Sequence, residues 1–151
     1  MSASTCVSKI VKARPAEVFE AFINPAILVE WLPPGEMTGR IHDFDARPGG
    51  GYTMSLLYPP GSVRGKTSDR EDRVSVRFVE LAPLHRIVEA VTFHTTDPAL
   101  MGEMVLVATF EEASGGTEVT IACHDLPPGL SARDNEAGTR ESLDNLSRRF
   151  D

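Results

Sequence analysis

Apolar residues along much of this chain fall at every second position. Tyr52, Met54, Leu56 and Tyr58 share one such phase, and Val74, Val76 and Phe78 another. The period continues through Ile87, Glu89, Val91 and Phe93, then Met104, Leu106, Ala108 and Phe110, then Val119, Ile121 and Cys123. A period of two marks strands with one face turned inward. It predicts strands near 37–46, 51–58, 73–81, 84–94, 101–112 and 116–124, preceded by one over 4–12.

The period changes in two places. After Arg14-Pro15-Ala16-Glu17, the residues Val18, Phe19, Phe22 and Ile23 repeat at helical spacing. Pro15 suits a first helical position, where its missing N–H has no partner to lose. Asn24-Pro25 breaks that helix, and Pro25 starts a second short one through Ile27, Leu28 and Trp31. Near the end, Ser131 and Asp134 read as the cap of a last helix. Its Leu143, Leu146 and Phe150 form an apolar stripe, and Arg140, Glu141, Asp144, Arg148 and Arg149 form the polar remainder.

Twelve glycines and eleven prolines cluster between these pieces, as in Pro48-Gly49-Gly50-Gly51 and Pro127-Pro128-Gly129. They punctuate elements and form no linker. Glu111 to Gly116 reads as a hairpin turn. No internal repeat or low-complexity tract interrupts the order β-α-α-β-β-β-β-β-β-α. Strands that follow one another without crossover helices predict an antiparallel sheet and an α+β domain, with the last helix on one face.

Several of these segments resemble one family in its own order. They are Arg14-Pro15-Ala16-Glu17-Val18-Phe19, Asn24-Pro25 before Trp31, and Phe44 through Arg47-Pro48-Gly49-Gly50. Phe110-Glu111-Glu112 follows, running through Gly116–Ile121 to Leu126-Pro127, and last Glu141-Ser142-Leu143-Asp144-Asn145-Leu146. The chain resembles the START-like (SRPBCC) superfamily, in the branch named for the activator of heat-shock protein 90 ATPase. The resemblance covers nearly the whole chain and implies a single START-like domain over 1–151 with the helix-grip fold. In that fold a curved antiparallel sheet of about seven strands wraps around a long C-terminal helix, and two short helices follow the first strand. It also implies a cavity between sheet and helix, in which members bind lipids or other apolar small molecules; a minority are enzymes. The chaperone activator itself carries a further domain ahead of this one. This chain opens at the first strand, so chaperone activation is not carried over. Two departures fall near the implied cavity. The family often has two aromatics where this chain has Trp31-Leu32, and Gly-Trp where it has Gly138-Thr139. Loss of a large ring there widens or polarises the site.

Composition narrows the function. The chain has 151 residues, enough for one domain with a core that needs no disulfide or metal. Fifteen Lys and Arg against twenty-two Asp and Glu give a net charge of −7. That balance argues against nucleic-acid binding by phosphate neutralisation and against a polybasic membrane surface. Without an 18-residue apolar run or a leader pattern, a cytoplasmic protein without membrane insertion is expected, as monomer or homodimer.

The expected ligand-binding residues are Trp31, Tyr52, Met54, Leu56, Phe78 and Val91, with Met104, Leu106, Thr139 and Leu143. Many residues on these faces are expected to be plain core, and a subset to line a pocket. Glu89 is the exception in kind: a carboxylate between Ile87 and Val91 on an apolar face. If it faces inward it loses hydration and must find a partner, such as Tyr52, Tyr58 or an Arg, or take up a proton. It then orients a ligand or serves as an acid/base. If the register is one residue off, it faces water.

Other motifs carry less. His42-Asp43-x-Asp45 and His124-Asp125 lack the convergent ligands of a metal site, so no metal and no cofactor are expected. Gly61 to Thr67 is one residue short of a phosphate loop and has no strand-loop-helix context. The mixed run Arg64 to Arg73 reads as a solvated hairpin tip. Cys6 and Cys123 sit on strands expected to be neighbours, with no His partner for thiol chemistry. The residues predict a small apolar or amphipathic ligand held between sheet and last helix. Two rivals stand beside it: a cyclase- or hydrolase-type enzyme using Glu89, and a protein-interaction module.

Overall fold

A computed structural model describes residues 3–59 and 71–151. The phosphate-loop-like segment and most of the Arg64 to Arg73 run lie outside them. The elements run β1 (Ala3–Val11), α1 (Pro15–Ile23), α2 (Pro25–Trp31), β2 (Thr38–Asp45), β3 (Gly51–Leu57), β4 (Glu71–Ala82), β5 (Arg86–Phe93), β6 (Glu103–Ala113), β7 (Gly116–Leu126) and α3 (Ala132–Arg149). A short 3-10 turn at Pro98–Leu100 is the one element with no counterpart in the sequence pattern.

All seven strands join one antiparallel sheet in the order β1-β7-β6-β5-β4-β3-β2. The turns explain the order. Ala113 pairs with Gly116 across a tight hairpin, and Gly115 takes the left-handed conformation (φ 87°) that glycine adopts without steric cost. The first strand then adds beside the last, as Val7 pairs with Ile121. A bulge in β4 leaves Val79 without a partner between Phe78, opposite Glu89, and Glu80, opposite Val88.

Local capping sets the helix ends. Pro15 opens α1, and the Glu17 carboxylate accepts from the backbone N–H of Arg14 at 3.3 Å. Asn24 both ends α1 and caps α2, its Oδ1 accepting from the N–H of Ala26 at 3.0 Å. The Ser131 hydroxyl accepts from the N–H of Asp134 at 3.3 Å and starts α3. Leu143 and Leu146 of α3 are fully buried. Its polar neighbours tie it down. Ser142 Oγ donates to the Leu32 carbonyl at 2.6 Å, and Asn145 Nδ2 to the Pro33 carbonyl at 3.0 Å. Lys9 of β1 reaches Asp144 at 2.9 Å. This is the α+β helix-grip arrangement, with the two short helices after the first strand.

Candidate functional site

Between the sheet and α3 lies a cavity of about 220 Å³, partly open to solvent. Its existence follows from what α3 presents there. Asn135, Gly138, Thr139 and Ser142 fall at i, i+3, i+4 and i+7, and all four line the cavity. Short side chains leave space above the middle of the sheet, although Asn135 still accepts from Thr5 of β1 at 2.6 Å, whereas Leu143 and Leu146 further along fill the core.

The sheet supplies the rest of the wall. Tyr52, Met54 and Leu56 of β3 line it, as do Glu89 and Val91 of β5, Met104 and Leu106 of β6, and Thr139 of α3. Strand register brings them together: Val91 pairs with Met104, and Glu89 with Leu106. Trp31, Phe78 and Leu143 belong elsewhere, in solid core. Trp31 packs edge-on against Phe22 at 4.8 Å, and its Nε1 donates to the Ala21 carbonyl at 3.0 Å. Phe78 packs against Phe44 and Tyr52, with ring centroids 5.8 and 5.9 Å away. Leu143 lies past the end of the small-residue stripe. The sequence reading missed Pro34, Asp72, Leu130, Asp134, Asn135 and Ser142 in the wall. The stripe from Asn135 to Ser142 was a usable signal, because a helix face polar on its inward side leaves space. Leu32 and Thr139, the two departures from the family pattern, both line the cavity.

Glu89 faces inward, with 6 % of its surface exposed. Its carboxyl makes no hydrogen bond to any described residue. The expected partners are otherwise placed. Tyr58 donates to Asp72 at 2.7 Å, and the Tyr52 hydroxyl also has no described partner. Among the described residues no sealed side-chain oxygen or nitrogen lacks a hydrogen bond. The Glu89 carboxyl and the Tyr52 hydroxyl therefore open onto the cavity itself. Burial pushes the Glu89 carboxyl up to about 7 from its ordinary 4.5. Burial first, and the Glu89 charge second, hold the Tyr52 phenol well above its ordinary range. Near neutral pH the cavity thus carries an un-ionised phenol and a carboxyl poised to gain or lose a proton.

Of the remaining candidates, His42 and Asp45 have ordinary partners. His42 Nε2 lies 3.3 Å from Ser55 Oγ, and Asp45 pairs with Arg47 at 2.8 Å. Among the described residues no three His, Cys, Asp or Glu side chains converge. Cys6 is exposed and Cys123 buried, on opposite faces of paired strands. Burial raises the Cys123 thiol above its ordinary value, the opposite of a reactive thiolate. A wider depression outside α3, lined by Ser4, Arg133, Glu136 and Arg140, is open and charged. Among the described residues no helix is long and apolar enough to cross a membrane.

Solved structures share this architecture. Protein CV1439 from Chromobacterium violaceum is 26 % identical over 97 % of this chain and 96 % of its own, with a TM-score of 0.86. Mll3558 from Rhizobium loti is 24 % identical over 98 % and 96 %, with a TM-score of 0.74. Ms6760 from Mycobacterium smegmatis is 17 % identical over 98 % and 90 %, also at 0.74. No match is found among curated proteins. The sequence profile of the activator of Hsp90 ATPase homolog 1-like proteins matches residues 12–151, and with the START-like fold in place the chain belongs to that family.

Proposed function

We propose that this protein binds a small apolar or amphipathic molecule in the cavity between sheet and α3. One observation carries the reading: a preformed cavity of about 220 Å³ with mostly apolar walls and two unpartnered polar groups, Glu89 and Tyr52, opening into it. Apolar walls with a few convergent polar groups are what ligand sites require. A cavity of about 150 Å³ takes up benzene, so this one suits a single ring with a short chain. Met54 and Met104 give the wall side chains that adapt to shape. Among the described residues the exposed large apolar ones, Ile10, Val79, Leu84 and Met101, are spread over two strands and two loops, which favours an interior site over a protein-docking face.

Leu106→Trp or Met54→Trp fills the cavity and is expected to abolish ligand uptake in a protein that still folds. Native mass spectrometry of wild type and variant, purified from the native host, reads this out. A co-purified small molecule present equally in both would remove the cavity from consideration.

A second reading, acid/base catalysis at Glu89, is favoured by a carboxyl held at about 7 inside a cleft. It requires Glu89→Gln to abolish turnover and spare binding.

A further inference from the structure

Among the described residues, the charged groups of the cavity wall are all of one sign. Asp72, Glu89 and Asp134 line it, and no Lys, Arg or His among the described residues does. Asp72 has Tyr58 as partner, and Asp134 is exposed at the rim. Glu89 differs from both. It is buried on β5, its carboxyl meets no described partner, and its oxygens open onto the cavity. Around it stand the ring of Tyr52 from β3 and, on the same wall, Phe93 and the two methionines. The titratable groups of the cavity wall on its side of the sheet are Tyr52 on β3, Asp72 on β4 and Asp134 on α3, with Cys123 of β7 nearby; Lys9 of β1 also faces α3, but it lies outside the wall and pairs with Asp144 at 2.9 Å.

We infer that the ligand is an amphipathic amine, whose protonated nitrogen pairs with Glu89 while its apolar body fills the space under α3. This rests on the cavity reading above and names its chemistry. Among the described residues an anionic ligand such as a fatty acid would meet only acidic charged groups in the wall, and like charges repel strongly where water is scarce. A protonated amine meets the one acidic group of the wall that no described residue pairs with, and the Tyr52 and Phe93 rings line the same wall. Burial has raised the proton affinity of Glu89, and a neighbouring cation restores its ionised form. Amine binding therefore draws a proton off Glu89. The affinity should rise with pH up to the point at which the free amine itself loses its charge.

The test uses three probes of one shape: phenethylamine (a cation), phenethyl alcohol (neutral) and phenylacetate (an anion). Isothermal titration against wild type, Glu89→Gln and Leu106→Trp is run at pH 5.5 and pH 8. Expected at pH 8 is an amine affinity about tenfold or more above that of the alcohol, a charge-pair effect of the usual size, with no detectable phenylacetate. Only the amine affinity should rise from pH 5.5 to pH 8. Glu89→Gln should erase the preference and its pH dependence, and Leu106→Trp should block every probe. If the alcohol or phenylacetate binds wild type as well as the amine, and Leu106→Trp blocks it, the amine inference falls and the cavity reading stands. The inference falls equally if the amine preference survives Glu89→Gln. Binding that survives Leu106→Trp, or no binding of any probe, overturns both.

Discussion

The two ends of this core are built from one sheet and differ in what the helices lay on it. Under α1 and α2, the rings of Phe19, Phe22, Trp31 and Phe110 interlock edge to face, with centroids 4.8 to 5.8 Å apart. The Trp31 indole is satisfied by the Ala21 carbonyl, and the region is solid. Under the first half of α3, the facing residues are Asn135, Gly138, Thr139 and Ser142, and a cavity remains. Strand residues of similar size face both ends, so the sheet does not decide where the space falls. The helix does. The aromatic end supplies stability, and the empty end spends some of it on an unpaired buried carboxyl.

The sharpest way to break the comparison is Trp31→Ala. It should cost about 3–5 kcal/mol, the usual range for a buried large aromatic, and leave the Ala21 carbonyl without its donor. Chemical denaturation measures this. A loss below about 1 kcal/mol would mean the aromatic end is no more tightly packed than the cavity.

Next in size is Glu89→Gln, with the opposite sign. The folded-state value of about 7 lies above the ordinary 4.5, so the native protein binds the extra proton between those limits. Stability therefore falls as pH rises from about 4.5 to about 7, and the full cost applies above that. A shift of this size corresponds to at most about 3 kcal/mol. Glu89→Gln should show no such fall, matching wild type near pH 4.5 and exceeding it at pH 8. Urea melts across that range check it, and a variant less stable than wild type at pH 8 would mean that the carboxylate has a stabilising partner.

The smallest expected effect is Thr139→Leu, which extends apolar surface into the cavity. A gain of about 1 kcal/mol is typical of cavity filling. It should come with weaker binding of the amine and alcohol probes. A loss of stability would show that the space under α3 has no room for the longer, branched side chain.

Much of this was readable from the residues. Strand and helix limits follow from periodicity, Pro15, Asn24-Pro25 and Ser131. Glu89 was identifiable because strict alternation from Ile87 to Phe93 assigns it to the inner face. Periodicity could not separate Met54, which lines the cavity, from Phe78, which does not, since both point inward. Asn135 and Asp72 were missed because an inward polar residue reads as a surface one until its partners, Thr5 and Tyr58, are in place.

By itself, the sequence determined the elements, the inward faces and the one carboxyl among apolar neighbours, because side-chain direction is set locally by backbone geometry. Only the tertiary structure decided which inward residues meet another side chain and which meet open space. That depends on the distance to the opposing helix and on the size of what the helix presents, and neither is encoded in the strand that faces it.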